Sequence, residues 1–117
     1  METITVYVGT EHHMRDGRAQ DDTRPVEFTG EKLAQRTAFG SHKDQISDTR
    51  GTTEVLYRAE DGRLLVHVHE WSKWQGEADH YALQEVTETE LGPTGPFEAL
   101  GYEAGFGRPL TLEEALD

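Results

Sequence analysis

Cysteine is missing from all 117 residues, and with it any disulfide framework or thiolate chemistry. Asparagine is missing too, and only three lysines accompany eight arginines. That bias suits a GC-rich genome, a halophile or a thermophile without separating them. No apolar run approaches the roughly 18–20 residues that would cross a bilayer as a helix. The opening Met1-Glu2-Thr3-Ile4 lacks the basic stretch of a signal peptide and enters a strand pattern at once. Together these absences predict a cytoplasmic protein.

Positive charge is scarce. Eleven lysines and arginines face 23 acidic side chains, for a net charge of −12. The imbalance is steepest from Glu77 onward, where Arg108 is the one basic residue among ten acidic ones. Such a field repels phosphates and argues against direct binding of nucleic acid. The acidity serves either solubility, with self-repulsion screened by salt, or imitation of a nucleic acid to occupy a basic partner. The second use requires the acidic residues after position 77 to form a continuous stripe.

A chain of this length supports one core, so residues 1–117 read as a single domain. Ile4, Val6 and Val8 alternate with Thr3, Thr5 and Tyr7, the period of a half-buried strand. Residues 9–24 turn polar, lose any apolar period and read as a long loop. Val26-Glu27-Phe28 resumes a strand. Glu31 to Ala38 predicts two helical turns with Leu33 and Ala34 inward, and residues 40–52 form a second polar loop.

The strongest local signal follows. Two strand-like runs, Thr53 to Ala59 and Arg63 to Trp71, flank Glu60-Asp61-Gly62, and Asp-Gly favours the positive φ of a tight hairpin turn. Leu64, Val66 and Val68 share one face of the second run; Leu65, His67, His69 and Trp71 share the other. His80 to Thr87 predicts another strand, and short connections predict an antiparallel meander. Further on, Pro96 opens and Gly105 closes a short helix carrying Phe97, Leu100 and Ala104 on one face. Thr111-Leu112-Glu113-Glu114 is a capping box. The expected fold is α+β: an antiparallel sheet of four to five strands with short helices packed on one face.

His67-x-His69 carries the clearest chemistry. Two histidines one residue apart on a strand point the same way, and His80 with Asp79 or Glu77 can add a third ligand for a divalent metal such as zinc. A metal-bound water would then attack a substrate, the alternative reading as a small metal-dependent enzyme. The competing explanation is a pair of sheet-face histidines beside Trp71, with no metal. Glu11-His12-His13 lies in the polar stretch, where adjacent histidines do not converge on one ion. Ser41-His42-Lys43-Asp44 names a hydrolytic triad but is contiguous, which excludes a relay. Gly101, Gly105 and Gly107 follow a helix, the wrong order for a phosphate loop. Trp71, Trp74 and Tyr81 are large amphipathic aromatics at a hairpin end and serve either as a core cap or as a partner-binding surface. A small meander also exposes edges that a second copy can cover. The leading functional expectation is a non-enzymatic binding or regulatory module that forms a homodimer.

Val26-Glu27-Phe28-Thr29-Gly30-Glu31-Lys32-Leu33-Ala34, Leu56-Tyr57-Arg58-Ala59-Glu60-Asp61-Gly62-Arg63 and the terminal Glu114-Ala115-Leu116-Asp117 resemble the EXLDI proteins, a prokaryotic family named for its C-terminal Glu-x-Leu-Asp-Ile signature. The chain departs from the signature by ending at Asp117, without the isoleucine. The resemblance implies no activity, ligand or catalytic residue.

Overall fold

The computed structural model describes residues 1–13, 19–39, 50–72, 78–93, 95–106 and 111–116. In chain order these form β1 (Glu2–His13), β2 (Ala19–Phe39), β3 (Arg50–Ala59), β4 (Leu64–Ser72), β5 (Ala78–Val86), α1 (Glu98–Glu103) and α2 (Leu112–Leu116). The strands pair in sequence order and β5 returns to β1, so the sheet closes into an antiparallel barrel. This corrects the expected α+β fold. The meander is present, but strands dominate and the ring is closed.

Besides residues 50–52, expected in the second loop and found at the start of β3, two misread segments account for the difference. Residues 9–13 and 19–24, expected in a loop, are the outer parts of β1 and β2 and pair from Gly9↔Thr23 to His13↔Ala19. Backbone ladders hold them, and with little apolar side chain to bury they show no hydrophobic period. Glu31 to Ala38, expected as a helix, continues β2 and pairs with β3 from Gly30↔Ala59 to Phe39↔Gly51. Lys32, Leu33, Ala34, Gln35 and Arg36 are all tolerable or good helix formers, and the tertiary ladder overrides that weak preference.

At 21 residues β2 is far longer than the usual 3–10. Its first half pairs with β1 and its second half with β3, and Gly30 stands at the changeover opposite both Glu2 and Ala59. A Cβ at Gly30 would run into the carbonyl oxygen of Arg58. Gly9 holds the matching corner of β1, where pairing to β5 begins; its φ is +121°, and a Cβ there would strike the carbonyl of Asp22. Side-chain-free residues at such corners let two backbones cross closely. The corners have a topological role. Straight strands cannot close a ring through five antiparallel pairings, because each pairing reverses direction. Twist of roughly 20–25° between neighbours supplies part of the extra turn. Gly9 and Gly30, where the strands change partner, and the register shift between Lys32 and Ala34 are the places where the backbone can turn further.

The β3–β4 hairpin matches its sequence signal. Gly62 has φ +92° and its amide donates to the Ala59 carbonyl at 2.9 Å. Asp61 accepts from the Arg63 amide at 3.1 Å and from Arg63 Nε at 2.8 Å, contacts that hold its carboxyl below the ordinary aspartate range.

The fully buried side chains lie on one face of β3 and β4. Leu56 and Val66 are cross-strand partners with no exposure, joined by Leu64 and Val86. The C-terminal segment covers this face: Leu91 and Leu100 are fully buried against it, with Phe97, Ala104 and Phe106 packed around them. The predicted apolar stripe of α1 is therefore present, and Gly105, at φ +87°, ends the helix. At α2 the Ala115 amide donates to the Thr111 carbonyl, as a helix starting after Thr111 requires. Among the described residues no helix is long and apolar enough to cross a membrane.

Candidate functional site

The opposite face of β4 carries His67, His69 and Trp71, facing Val55, Thr53 and Gly51 on β3. On β5 the partners of His67 and His69 are Leu83 and Tyr81. This face meets β1. His67 Nε2 lies 2.7 Å from the Tyr7 carbonyl oxygen, and since a carbonyl only accepts, the hydrogen resides on Nε2. The His69 ring stacks on Tyr81 with centroids 4.3 Å apart and planes at 12°. Its Nε2 donates to Asp79 Oδ2 at 2.8 Å, while Asp79 Oδ1 accepts from the Ser72 amide at 2.9 Å. Asp79 is 6% exposed, and these bonds offset the removal of its carboxylate from water. Trp71 lies across Gly51, where a Cβ would collide with the indole, and its Nε1 donates to Thr53 Oγ1 at 3.3 Å. Thr53 Oγ1 in turn lies 3.0 Å from Thr37 Oγ1, so one polar chain links β4, β3 and β2.

The barrel has a seam. Pairing of β1 with β5 runs from His12↔Ala78 to Gly9↔Tyr81 and stops. The next rung in that register would join Tyr7 to Leu83. Instead His67, the β4 partner of Leu83, presents its own N–H to the Tyr7 carbonyl. Pro25 fixes the direction of these groups. It faces Tyr7 across the β1–β2 ladder and has no amide hydrogen, which is tolerated where the backbone groups point away from the partner strand. The alternation of an antiparallel ladder then turns the N–H and C=O of Thr3, Thr5 and Tyr7 toward the seam. On the β2 side it turns those of Thr23, Pro25, Glu27 and Thr29 the other way, and the Thr29 carbonyl accordingly accepts from the Glu60 amide at 2.8 Å. Among the described residues no strand pairs with the seam edge of Glu2–Val8.

The structure brings His67 and His69 onto a common side, as their spacing predicts, but not His80. His80 is the cross-strand partner of Glu70 and so projects from the other face, with Nδ1 3.2 Å from Thr10 Oγ1. Among the described residues no three His, Asp or Glu side chains are grouped to hold a metal ion. Sequence reasoning treated Asp79 as a possible ligand; it is the hydrogen-bond acceptor of His69. Glu11, His12 and His13 lie on β1 rather than in a loop, and His12 Nε2 is 3.5 Å from Asp22 Oδ2. Trp74, Glu77, Gly107, Arg108 and the segment Ser41-His42-Lys43-Asp44 lie outside the described residues. An open cleft of about 440 Å³ at the end of β3–β5 is lined by Arg50, Thr52, Glu70, Trp71, Ser72 and His80, among others. Sequence reasoning missed the seam itself; its one signal was Pro25, next to the strand run that begins at Val26.

No family model, curated protein or solved structure matches this chain.

Proposed function

We propose that this chain is a small, cytoplasmic, non-enzymatic binding or regulatory module that works as a homodimer, and that it is a member of the EXLDI family. One observation supports the dimer above the others. The seam leaves the Thr3–Tyr7 edge of β1 without a partner strand among the described residues, and unpaired edges invite pairing with another chain. The non-enzymatic reading draws on the same geometry, because the polar groups around the seam are bonded to one another. His67 is engaged by Tyr7, His69 by Asp79, and Trp71 by Thr53. The acidic-mimic reading receives less support. Asp79 is buried, and Glu85 lies 4.0 Å from the positive charge of Arg63, so these two do not belong to an uninterrupted acidic stripe.

Light scattering coupled to size-exclusion chromatography tests the dimer. The expected mass is twice the 13.2 kDa of one chain. Because each copy carries a charge of −12, association should strengthen as added salt shortens the Debye length to about 8 Å near 0.15 M. A mass of 13.2 kDa at high micromolar concentration in moderate salt would remove the proposal.

A further inference from the structure

We infer that the two copies join edge to edge through β1, antiparallel, with the twofold axis passing beside Ile4 so that Thr3 of each copy faces Thr5 of the other. The inference rests on the homodimer reading and specifies its surface and register.

Among the described residues, and apart from the β5 side of the seam beyond Tyr81, β1 and β2 leave strand edges of different character. On the β2 edge, the outward-turned positions include Pro25 and Glu27. Proline lacks the donor a new ladder needs, and an edge glutamate repels an approaching strand of an acidic chain, so this edge is guarded. On β1 the outward positions are Thr3, Thr5 and Tyr7, and residues 3–8 contain neither proline nor any charge. Thr, Ile, Val and Tyr are all favoured in strands. In a chain of net charge −12, this neutral stretch is a place where two like-charged copies can approach without opposed charges at the contact.

The register follows from which backbone groups remain. An antiparallel rung between outward-turned residues uses the N–H and C=O of both. Placing the axis at Thr5 would pair Thr3 with Tyr7 of the second copy, but the Tyr7 carbonyl already accepts from His67. Placing it at Ile4 pairs Thr3 with Thr5 twice, giving two complete rungs and four hydrogen bonds without disturbing His67. The sequence agrees with this choice. Thr3-Ile4-Thr5 reads the same in both directions, as an isologous contact across a twofold axis requires, and facing threonines are a favourable cross-strand pair. Thr3 and Thr5 are both exposed. His67 thus has a second consequence: by occupying the Tyr7 carbonyl it marks where the intermolecular ladder stops.

Thr5→Pro tests the surface. It removes an amide that faces the open edge and leaves the β1–β2 rungs at Ile4, Val6 and Val8 in place. The expected result is a folded protein, by circular dichroism and thermal melting, whose dimer dissociation constant rises at least 30-fold; Thr5→Val, which keeps the amide, should stay within about threefold of wild type. Ile4→Cys tests the register independently, because the chain has no other cysteine. A non-hydrogen-bonded pair on the axis brings the two sulfurs within disulfide reach, so mild oxidation should yield a covalent dimer. If Thr5→Pro fails to fold, the oxidation result decides. A wild-type dimer that persists in folded Thr5→Pro, or that fails to cross-link through Ile4→Cys, overturns this interface while self-association stands. A monomeric wild type overturns both.

Discussion

Removing the Asp79 carboxylate should destabilise the barrel more than any other single polar change near the seam. Asp79→Ala deletes the acceptor of His69 Nε2 and the acceptor of the Ser72 amide together. A hydrogen bond to a charged group contributes about 1.5–3 kcal/mol, and a buried donor left without a partner costs about 1–3 kcal/mol. Both donors are only part-buried, so water recovers some of this, and the expected loss is about 2–4 kcal/mol. That is a large share of the roughly 6–17 kcal/mol expected for a domain of this size. Asp79→Asn should lose only about 1 kcal/mol, since its oxygen still accepts from Ser72 and its amide can donate to the other tautomer of His69. His69→Phe keeps a ring against Tyr81 and removes the donor. In a double-mutant cycle with Asp79→Ala, the two losses should fall short of additivity by about 1–2 kcal/mol. Urea unfolding at fixed protein concentration, followed by far-ultraviolet circular dichroism, measures wild type, the three single variants and the double mutant; fixed concentration matters because dimerisation adds to apparent stability. An Asp79→Ala protein within about 0.5 kcal/mol of wild type, or strictly additive losses, would show that the dyad does not hold the β4–β5 end together.

Three further outcomes follow from features elsewhere in the fold. Leu100 is fully buried where the C-terminal segment seals the outer face of β3 and β4, so Leu100→Ala should cost about 2–5 kcal/mol in the same assay. Gly51→Ala should displace the Trp71 indole, since the new methyl meets the ring and also lies 2.9 Å from the Ala38 carbonyl oxygen. In a Trp74→Phe background, where Trp71 is the one remaining tryptophan, emission should shift to longer wavelength; an unchanged spectrum would count against the stacking. Burial raises the Tyr57 phenol above its ordinary value near 10. The folded state therefore holds that proton more tightly than the unfolded chain, and stability present below pH 10 should fall as pH climbs toward the folded value. Tyr57→Phe should flatten that alkaline decline, and an identical pH profile would refute the assignment.

The parts of the fold legible in the sequence were those where burial and turn chemistry agree. Glu60-Asp61-Gly62 between two alternating runs could be little else than a hairpin, and Phe97, Leu100 and Ala104 announced the helix that closes the core. Legibility failed where hydrogen bonding rather than burial holds the chain. The outer arms of β1 and β2 carry polar side chains, so their pairing leaves no period to read. Glu31 to Ala38 was ambiguous because the ladder to β3, interrupted by one register shift, overrides a helix preference of a few tenths of a kcal/mol per residue. The histidine site was half legible. A spacing of two puts His67 and His69 together, whereas the side taken by His80 depends on the β4–β5 register, which places it opposite Glu70. Pro25 was the unread cue. Read as the residue before a strand it carried no message; once the ladder places it opposite Tyr7, within β2, it requires backbone groups that point away from β1.

The shared strand β2 has a mechanical consequence. One continuous rail serves the β1 ribbon on one side and the β3 ribbon on the other, with the crossing at Gly30 too close for any side chain. Neither ribbon can peel away as an independent flap without dragging the common rail. The ring should therefore yield as one piece, beginning at the slit where His67 does the work of a missing rung.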